Sequence, residues 1–347
     1  MSFRRERILR PYSERKFAMK LLVIGLGSMG RRRIGLLLNH FDGITVCGAD
    51  IREERRAQAQ ALFGIPVYAD ASTAAEREKP YAALICTPPA GHSAVILDCV
   101  KKGLHIFSEI NLLSDRYEEI LQAAKEHRVK LFLSSTLLYR GEIEKIRDCV
   151  LKQPERVNYR YHVGQYLPDW HPWENYRDFF VSDPRTSACR EIFAIELPWI
   201  LHTFGKIRRV TVFKDHLSSL ELGYPDNYFV VLEHRNGNKG IWIVDVVSRK
   251  AERNLLVYSE KLHLTWDGTP DSLYQYNIEE KRTEKIETCS SVLRDEKYAE
   301  TITENAYLKE LRVFVDKITG GKNRERYTFE EDRKTLRLID RIEGTGP

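Results

Sequence analysis

The chain contains 347 residues, of which 42% are hydrophobic and 30% are charged. This length favours two ordinary domains over one large domain, and the composition excludes a disordered chain, a collagen-like chain and a coiled-coil rod. No apolar run approaches the roughly 20 residues that a membrane span needs, so no membrane partner is expected. The formal net charge of +5 raises the question of a nucleic-acid partner.

The excess positive charge is concentrated at the N terminus. Residues 1–18 contain six Arg or Lys residues and two Glu residues, which leaves the rest of the chain almost neutral. A nucleic-acid-binding domain should instead carry a basic stripe on its folded body. We therefore predict no nucleic-acid partner. We interpret residues 1–18 as a disordered basic extension, with Met19 as an alternative start of the folded chain.

The cysteines are scattered singly and form neither a CxxC pair nor a zinc-ligand spacing; they are Cys47, Cys86, Cys99, Cys149, Cys189 and Cys289. Scattered thiols are typical of a reducing cytoplasm rather than of a disulfide framework. The N-terminal residues also lack the apolar core of a secretory signal. We therefore predict a cytoplasmic protein, and no Asp, Glu or His spacing predicts a metal site.

From Met19 onward, short apolar runs alternate with helical patterns. Strands are predicted at residues 21–25, 44–50, 81–87, 104–109 and 130–136, and helices at 29–40, 53–64, 93–103 and 114–127. Strands separated by helices of this length require right-handed crossovers and pair in parallel. The pattern therefore predicts an α/β domain with a doubly wound parallel sheet over residues 19–140.

After about residue 150 the pattern changes to strands rich in Val, Tyr, Ile and Thr, with Asn236-Gly237 as a hairpin turn between two of them. Two helical patterns close the chain. The strand-like stretches are 156–167, 207–217, 227–235, 239–248, 254–268 and 273–280, and the helical ones are 297–319 and 329–342. We predict an α+β domain with a large, mainly antiparallel sheet over residues 141–347, and a ligand site in the crevice between the two domains.

A glycine-rich loop, Gly25-Leu26-Gly27-Ser28-Met29-Gly30, follows the first strand and opens a helix. This is the context of the dinucleotide-binding fingerprint of Rossmann domains. In that fingerprint the first glycine permits a tight turn, the second lets the backbone approach a pyrophosphate, and the third allows close packing of helix and strand. The three glycines of the loop, with Ser28 and Met29 at the helix start, are therefore predicted to bind the cofactor at its pyrophosphate.

Asp50 ends the second predicted strand, 20 residues after Gly30, where a carboxylate holds the adenosine ribose hydroxyls of NAD. A 2′-phosphate at this position would meet like charge, so NAD is the predicted cofactor and NADP is less favoured. Arg52 is close enough in sequence to weaken this preference, although a solvated arginine at a helix start is the simpler interpretation.

These residues, together with the segment 85–112, resemble the glucose–fructose oxidoreductase/inositol dehydrogenase (Gfo/Idh/MocA) family over residues 19–345. The resemblance implies that Thr87, Pro88 and His92 lie along the nicotinamide half of the cofactor. It also implies that Glu109 and its neighbour Asn111 lie near the nicotinamide ribose. The second domain would be the substrate domain of the family, which usually also forms homodimer or homotetramer contacts.

The sequence departs from the family at both of its catalytic motifs. Where the family has lysine and proline, this chain has Ile110 and Asn111, so the usual proton-transfer lysine is absent. In the second motif, alignment on the glycine turn at 205 leaves Glu191 as the remaining carboxylate and removes the family histidine. A slip of one residue would place Glu196 at the histidine position, and the sequence leaves this choice open. His202, near the end of the same helical stretch, is interpreted as a partner of the helix dipole or as a core histidine.

Residues 165–177 form a dense cluster of aromatic and polar side chains of the kind that packs against sugar rings and supplies directional hydrogen bonds. We predict substrate contacts from this segment and from Glu196. An alternative is that its tryptophans simply fill the junction between the domains. The candidate residues of the segment are Tyr166, Asp169, Trp170, His171 and Arg177.

The sequence therefore predicts a cytoplasmic NAD-dependent oxidoreductase that acts on a sugar, a sugar acid or a nucleotide-linked sugar. Glu191 is the first candidate for proton transfer, followed by His171 and Tyr161. Two alternatives remain open. The first is a reductase of a C=N or conjugated bond, for which a dedicated proton-transfer pair is less necessary. The second is a catalytically silent NAD-binding protein of the same fold.

Overall fold

The structure, a computed structural model, describes residues 18–170, 174–288, 293 and 303–345. The chain divides into two compact units, one that ends at Thr87 and one that begins at Pro88. Apart from residue 18, the predicted N-terminal extension lies outside the described residues. Within the described part of the chain, no helix is both long enough and apolar enough to cross a membrane.

The first sheet has six strands in the order β3-β2-β1-β4-β5-β6, and β1 pairs in parallel with both β2 and β4. This confirms the predicted doubly wound sheet. Its strands are β1 (Met19–Ile24), β2 (Ile44–Ala49), β3 (Val67–Tyr68), β4 (Ala82–Ile85), β5 (His105–Ser108) and β6 (Leu131–Leu133). The associated helices are α1 (Ser28–His40), α2 (Glu53–Phe63), α3 (Ala71–Glu78), α4 (His92–Lys101) and α5 (Tyr117–Glu126).

The second sheet has eight strands in the order β14-β13-β12-β11-β7-β10-β9-β8. All its described pairings are antiparallel except β7 with β10, which agrees with the mainly antiparallel prediction. The strands are β7 (Asn158–Gly164), β8 (Ile207–Asp215), β9 (Asn227–His234), β10 (Lys239–Asp245), β11 (Glu252–Tyr258), β12 (His263–Trp266), β13 (Tyr274–Asn277) and β14 (Arg282–Lys285). The helices of this part are α6 (Gly141–Leu151), α7 (Ala188–Phe204), α8 (Glu304–Thr319) and α9 (Phe329–Glu343).

Two predicted elements differ from the structure, and one strand of the second sheet has no predicted counterpart. The single strand predicted at 254–268 is two strands, because the chain turns back where the Ser259 amide donates to the Leu262 carbonyl. The last strand, β14, was not predicted because its four residues are all polar. The final helix pair begins at Glu304 rather than at residue 297, and residues 297–302 lie outside the described residues.

The boundary between the two units also differs from the predicted boundary at residue 140. The strands β5 and β6 share an aromatic cluster with α8, in which the ring centroids of Phe107 and Phe132 lie 5.1 Å apart and those of Phe107 and Phe314 lie 5.4 Å apart. Aromatic packing of this kind stabilises beyond the area it buries. The later strands of the first sheet therefore belong to the same compact unit as the second sheet.

Helix α7 passes through the core of the second unit. Ser187 caps it by accepting a hydrogen bond from the Arg190 amide, and most of its residues are buried. Its hydrophobic residues surround the helix rather than forming one stripe, as expected of a helix that is covered on all sides. A charged side chain that is buried on α7 must therefore find a partner inside the protein or become neutral.

Candidate functional site

The glycine-rich loop of the first unit has the geometry that its sequence predicts. Gly25 has a φ of +93°, and a Cβ atom there would lie 2.5 Å from the Cys86 carbonyl oxygen. A Cβ atom on Gly30 would lie 1.9 Å from the Gly25 carbonyl oxygen. Both positions therefore exclude any side chain, which confirms the tight turn and the close packing of α1 on β1.

The start of α1 suits an anionic group. Gly27 is the N-cap residue and has no side chain to accept a hydrogen bond from the first turn, which Ser28 and Met29 open. Free amide groups and the helix dipole at such a position favour phosphate. The Arg55 guanidinium lies beside this loop, with Nη1 3.5 Å from the position that a Cβ atom on Gly27 would occupy.

Asp50 lies next to the loop because β1 and β2 are in parallel register, so that the ends of the two strands are neighbours. One oxygen of its carboxylate accepts from the Leu26 amide at 2.7 Å, and the other accepts from the Arg52 amide at 2.9 Å. Each oxygen keeps a second lone pair for a ribose hydroxyl. The loop and the carboxylate together fit the adenosine and pyrophosphate portions of NAD.

The arginine closest to this carboxylate is not the one that the sequence singled out. The side chain of Arg52 is exposed, whereas Nη1 of Arg55 lies 3.8 Å from Oδ2 of Asp50. Sequence reasoning missed Arg55 because four consecutive charged residues open α2, and only their helical geometry distinguishes them.

The predicted nicotinamide-side residues fall on both sides of the boundary. Thr87 ends the first unit, and Pro88 opens the second in an exposed position. In the second unit His92 begins α4, and its Nδ1 lies 2.8 Å from Oδ1 of Asn111. The structure therefore brings together two of the predicted residues that are 19 positions apart.

The segment that corresponds to the family's catalytic motif contains one acidic residue, Glu109, which is buried. Its neighbour Ile110 is half-buried and has no ionisable group. Asn111 is buried and is fixed by hydrogen bonds to His92 and to the Tyr117 hydroxyl. None of the three side chains supplies an amine for proton transfer.

Glu191 lies in the first turn of α7 and has the properties of a proton-transfer group. Its Oε2 atom is enclosed by protein and has no hydrogen-bond partner among the described residues. Burial without a compensating charge raises the pKa of this carboxyl from 4.5 to about 7. The group therefore exchanges a proton near neutrality, as a general acid–base requires.

The adjacent Arg190 does not neutralise Glu191. Its guanidinium is bound to two carboxylates of α9, with Nη2 2.6 Å from Asp340 and Nη1 paired with Glu343. Its Nε donates to the Leu112 carbonyl oxygen at 2.7 Å. The positive charge of α7 is therefore used to hold α9, which leaves the neighbouring carboxyl unpaired.

The structure argues against Tyr161 and Glu196 as reacting groups. The Glu196 carboxylate accepts from the Tyr161 hydroxyl at 2.7 Å, from Trp199 Nε1 at 2.6 Å and from Arg253 Nη2 at 2.6 Å. Both Tyr161 and Glu196 are 0% exposed, and burial beside this carboxylate raises the pKa of the Tyr161 hydroxyl well above its usual value. These residues form a satisfied internal network that joins α7 to the second sheet.

The segment 165–177 is only partly arranged as a binding surface. Asp169 and Arg177 are exposed, and Arg177 forms a surface ion pair with Glu221 at 3.0 Å. The Arg249 guanidinium lies over the Tyr166 ring, 3.8 Å from the ring centroid, in a cation–π contact. His171 lies outside the described residues.

Trp170 is held within its own segment rather than presented to a ligand. Its Nε1 donates to the Gln165 carbonyl oxygen at 3.2 Å, and its ring lines a gap of about 10 Å³ beside Leu167 and Phe179. A space of that size holds a single water molecule and no sugar. Trp170 is therefore engaged within its own segment.

A larger cavity of about 360 Å³ lies elsewhere in the second unit and includes none of the predicted site residues. Its lining residues are Leu138, Ile143, Glu144, Arg147, Asp148, His202 and Arg326. His202 is exposed, so it is not a core histidine. Partial burial and the nearby arginines 147 and 326 lower its pKa, so it is also a poor cationic partner for the helix dipole. No group of three or more His, Cys, Asp or Glu residues within the described ranges could hold a metal ion.

Comparison with known proteins adds an independent line of evidence. Residues 19–135 match the GFO_IDH_MocA model, described as an oxidoreductase family with an NAD-binding Rossmann fold. The chain is also 22% identical over 321 residues to a myo-inositol 2-dehydrogenase of Thermotoga maritima, covering 88% of this chain and 89% of that protein. Residues 19–135 are thus similar to the NAD-binding Rossmann domain of this oxidoreductase family, and the chain over most of its length is similar to a dehydrogenase.

Two solved structures illustrate the shared fold. The WlbA dehydrogenase of Chromobacterium violaceum, in complex with NADH and UDP-GlcNAcA, superposes with a TM-score of 0.74 at 15% identity, covering 98% of this chain and 96% of that one. The biliverdin reductase of Synechocystis, in complex with biliverdin and NADP⁺, superposes with a TM-score of 0.72 at 16% identity, covering 95% and 99%. At these identities the likeness establishes the two-part architecture of the chain.

The position of Asp50 generates a prediction about cofactor choice. Asp50→Ala removes both the ribose acceptor and the charge that repels a 2′-phosphate, so the preference for NAD over NADP should narrow by about 1–3 kcal/mol. Calorimetric titration with both cofactors measures this preference. Asp42→Ala, which removes an exposed acidic residue near the same strand, is the control and should leave the ratio unchanged. Equal affinities in the parent protein would contradict the role of Asp50.

The raised pKa of Glu191 generates a prediction about stability. A carboxyl whose pKa is higher in the folded than in the unfolded state stabilises the fold at low pH, and this contribution is lost as pH rises through about 7. Glu191→Gln removes the titration, so the variant should gain about 2–3 kcal/mol relative to the parent between about pH 5 and pH 8. Urea unfolding at both pH values measures this gain. A difference that does not change with pH would show that Glu191 is paired in solution.

Proposed function

We propose that the chain transfers a hydride between nicotinamide and the carbinol carbon of a sugar, a sugar acid or a nucleotide-linked sugar. The observation that carries this proposal is the enclosed and unpartnered carboxyl of Glu191 in a protein that has an NAD-binding domain. A carboxyl oxygen that is enclosed without a hydrogen-bond partner costs stability. Such a cost is expected where the group is used for chemistry.

The residues present indicate which group would take part in hydride transfer and which in proton transfer. Bound NAD, held by the loop 25–30 and by Asp50, would supply or accept the hydride. Glu191 takes the proton of the substrate hydroxyl during oxidation and returns it to the carbonyl oxygen during reduction. Because the pKa of Glu191 is about 7, both protonation states are populated near neutrality. The same group therefore serves both directions, in place of the lysine that Ile110 replaces.

A sugar-like substrate is supported by two lines of evidence. The curated relative is named a myo-inositol dehydrogenase, and the WlbA structure contains UDP-GlcNAcA. In this chain, Asp169 and Arg177 expose a carboxylate and a guanidinium, which are groups that bind hydroxyls and acidic substituents. Trp170 is not proposed as a substrate contact, because its ring is engaged within its own segment.

Reduction of a C=N or conjugated bond is the second candidate. It is favoured by the aliphatic side chain at Ile110 and by the fold that the chain shares with biliverdin reductase. An acceptor that is already protonated needs no lysine. In that reaction Glu191 would have little influence on the rate, and this separates the two candidates.

We also propose that the protein is a homodimer or homotetramer and that it is cytoplasmic. The outward face of the second sheet exposes Phe213, Phe229 and Ile241, at 67%, 44% and 48%. Large apolar side chains clustered on one face are typical of an interface between subunits. The five described cysteines are all free thiols, as expected in a reducing compartment.

A nicotinamide-fluorescence screen tests the function directly. Purified protein is incubated with NAD and a panel of sugars, inositols, sugar acids and nucleotide sugars, and with NADH and imine or conjugated acceptors. Turnover of a member of the first panel supports the proposal. Turnover only in the second panel supports the alternative. NAD binding without turnover in either panel would support the catalytically silent interpretation.

The role of Glu191 is tested by a shape-conserving substitution. Glu191→Gln should lower turnover about 10²–10⁴-fold, the usual contribution of general acid–base catalysis, while NAD affinity stays unchanged. Glu260→Gln, at an exposed position of the same unit, is the matched control and should retain parental turnover. Turnover of the Glu191 variant within a few-fold of the parent would remove Glu191 from the mechanism.

A further inference from the structure

The second unit contains a continuous chain of buried polar side chains that ends at His92. His92 Nδ1 lies 2.8 Å from Asn111 Oδ1, and Asn111 Nδ2 lies 2.7 Å from the Tyr117 hydroxyl. The Tyr117 hydroxyl lies 2.5 Å from Oδ2 of Asp332, whose other oxygen accepts from the Tyr327 hydroxyl at 3.0 Å. All five side chains are buried, so water does not supply alternative partners along the chain.

The chemistry of these groups fixes the direction of every hydrogen bond in the chain. An ionised carboxylate only accepts, so the Tyr117 hydroxyl donates its single proton to Asp332. The Tyr117 oxygen is then an acceptor, and only the amide nitrogen of Asn111 can donate to it. The amide oxygen of Asn111 therefore faces His92, and a carbonyl oxygen only accepts. The His92 nitrogen that meets this oxygen must carry a proton.

We propose that Asp332 and Tyr117 are positioning residues that act through Asn111 to hold His92 in one tautomer. In this tautomer the proton is on Nδ1, and Nε2 is the acceptor nitrogen. This series of hydrogen bonds begins at the Asp332 carboxylate on α9, more than 200 residues from His92 in sequence. Neither the glycine loop nor the family motif therefore reveals it.

The consequence for binding rests on the proposed function and on the family resemblance, which implies that His92 lies along the nicotinamide half of NAD. In the fixed tautomer, Nε2 accepts a hydrogen bond and does not donate one. The matching group on the cofactor is an N–H donor, and the nicotinamide carboxamide carries such donors. Asn111 stands where the family has proline. It thus fixes which ring nitrogen of His92 donates and which accepts, and a proline side chain could not do this.

The state of Asp332 determines the conditions of the test. Burial raises the pKa of this carboxyl from 3.8 to about 7, while the two tyrosine hydroxyls and the charge of Arg190 oppose that rise. At about pH 8.5 the carboxylate form predominates, and the direction of the chain is then defined. All spectra are therefore recorded at that pH.

The test compares two tyrosine variants that donate to the same carboxylate. Tyr117→Phe interrupts the chain between Asp332 and Asn111, whereas Tyr327→Phe removes a donor to Asp332 and leaves the chain intact. Protein labelled with ¹⁵N at histidine gives side-chain spectra in which the protonated and unprotonated ring nitrogens are distinguished. His92→Gln identifies the signals of His92 among those of the ten histidines. Thermal melting confirms that each variant is folded.

We expect the parent protein and Tyr327→Phe to show His92 protonated on Nδ1 alone. In Tyr117→Phe, the amide nitrogen of Asn111 loses its acceptor and its oxygen keeps only the Ser108 hydroxyl at 3.3 Å besides His92, so the tautomer with the proton on Nε2 should become populated beside the parental one. A parent spectrum with the proton on Nε2 would overturn the proposal, and so would a Tyr117→Phe spectrum identical to that of the parent. The parent spectrum tests the direction of the chain even if Tyr117→Phe does not fold.

Titration with NAD separates this proposal from the proposed function. If NAD binds and His92 contacts it, the Nε2 signal should shift while Nδ1 stays protonated. Binding of NAD with no change at Nε2 would overturn the contact while leaving the tautomer assignment intact. Failure of NAD to bind would contradict the proposed function, and the tautomer would still be measured in the free protein.

Discussion

The cost of burying charge on α7 determines how the second unit is organised. A charged group inside a protein must be paired and hydrogen-bonded or must lose its charge. Arg190 meets this requirement through two carboxylates of α9, and Glu196 meets it through three donors from the protein interior. Glu191 lies on the same helix and has no such partner, so its pKa rises instead. Glu191, which is half-buried with one oxygen enclosed, is therefore the one of these three residues that is available for proton transfer.

Much of the first sheet could be predicted because its signals are local. Gly25 and Gly30 of the loop are required by contacts closer than any Cβ atom allows, and Asp50 is placed by the register of two adjacent strands. Such constraints act within a few residues or between neighbouring strands, so they leave a readable pattern in the sequence. The polar strand β14 leaves no such pattern, because its position depends on pairing with β13 rather than on a buried face.

The roles of the charged residues on α7 could not be predicted in this way. Glu191 and Glu196 are both carboxylates on one largely apolar helix, and their neighbours in sequence do not show which of them is paired. What separates them is that Tyr161 and Arg253 reach Glu196 from two strands of the second sheet, 35 and 57 residues away. Likewise, the position of Arg55 beside Asp50 follows from the geometry of α2 and not from its neighbours in sequence. Pairing over long sequence distances is a property of the tertiary structure alone.

Helix α9 links the two ionisable parts of the second unit. Its carboxylates at Asp340 and Glu343 hold Arg190 and thereby the first turn of α7, where Glu191 lies. About two to three turns of helix earlier, Asp332 anchors the hydrogen bonds that lead through Tyr117 and Asn111 to His92. The charge of Arg190 also opposes the rise in the pKa of Asp332 that burial causes, so the two sets of contacts are coupled electrostatically. A displacement of α9 would therefore disturb Glu191 and His92 together, although this helix carries none of the family's sequence motifs.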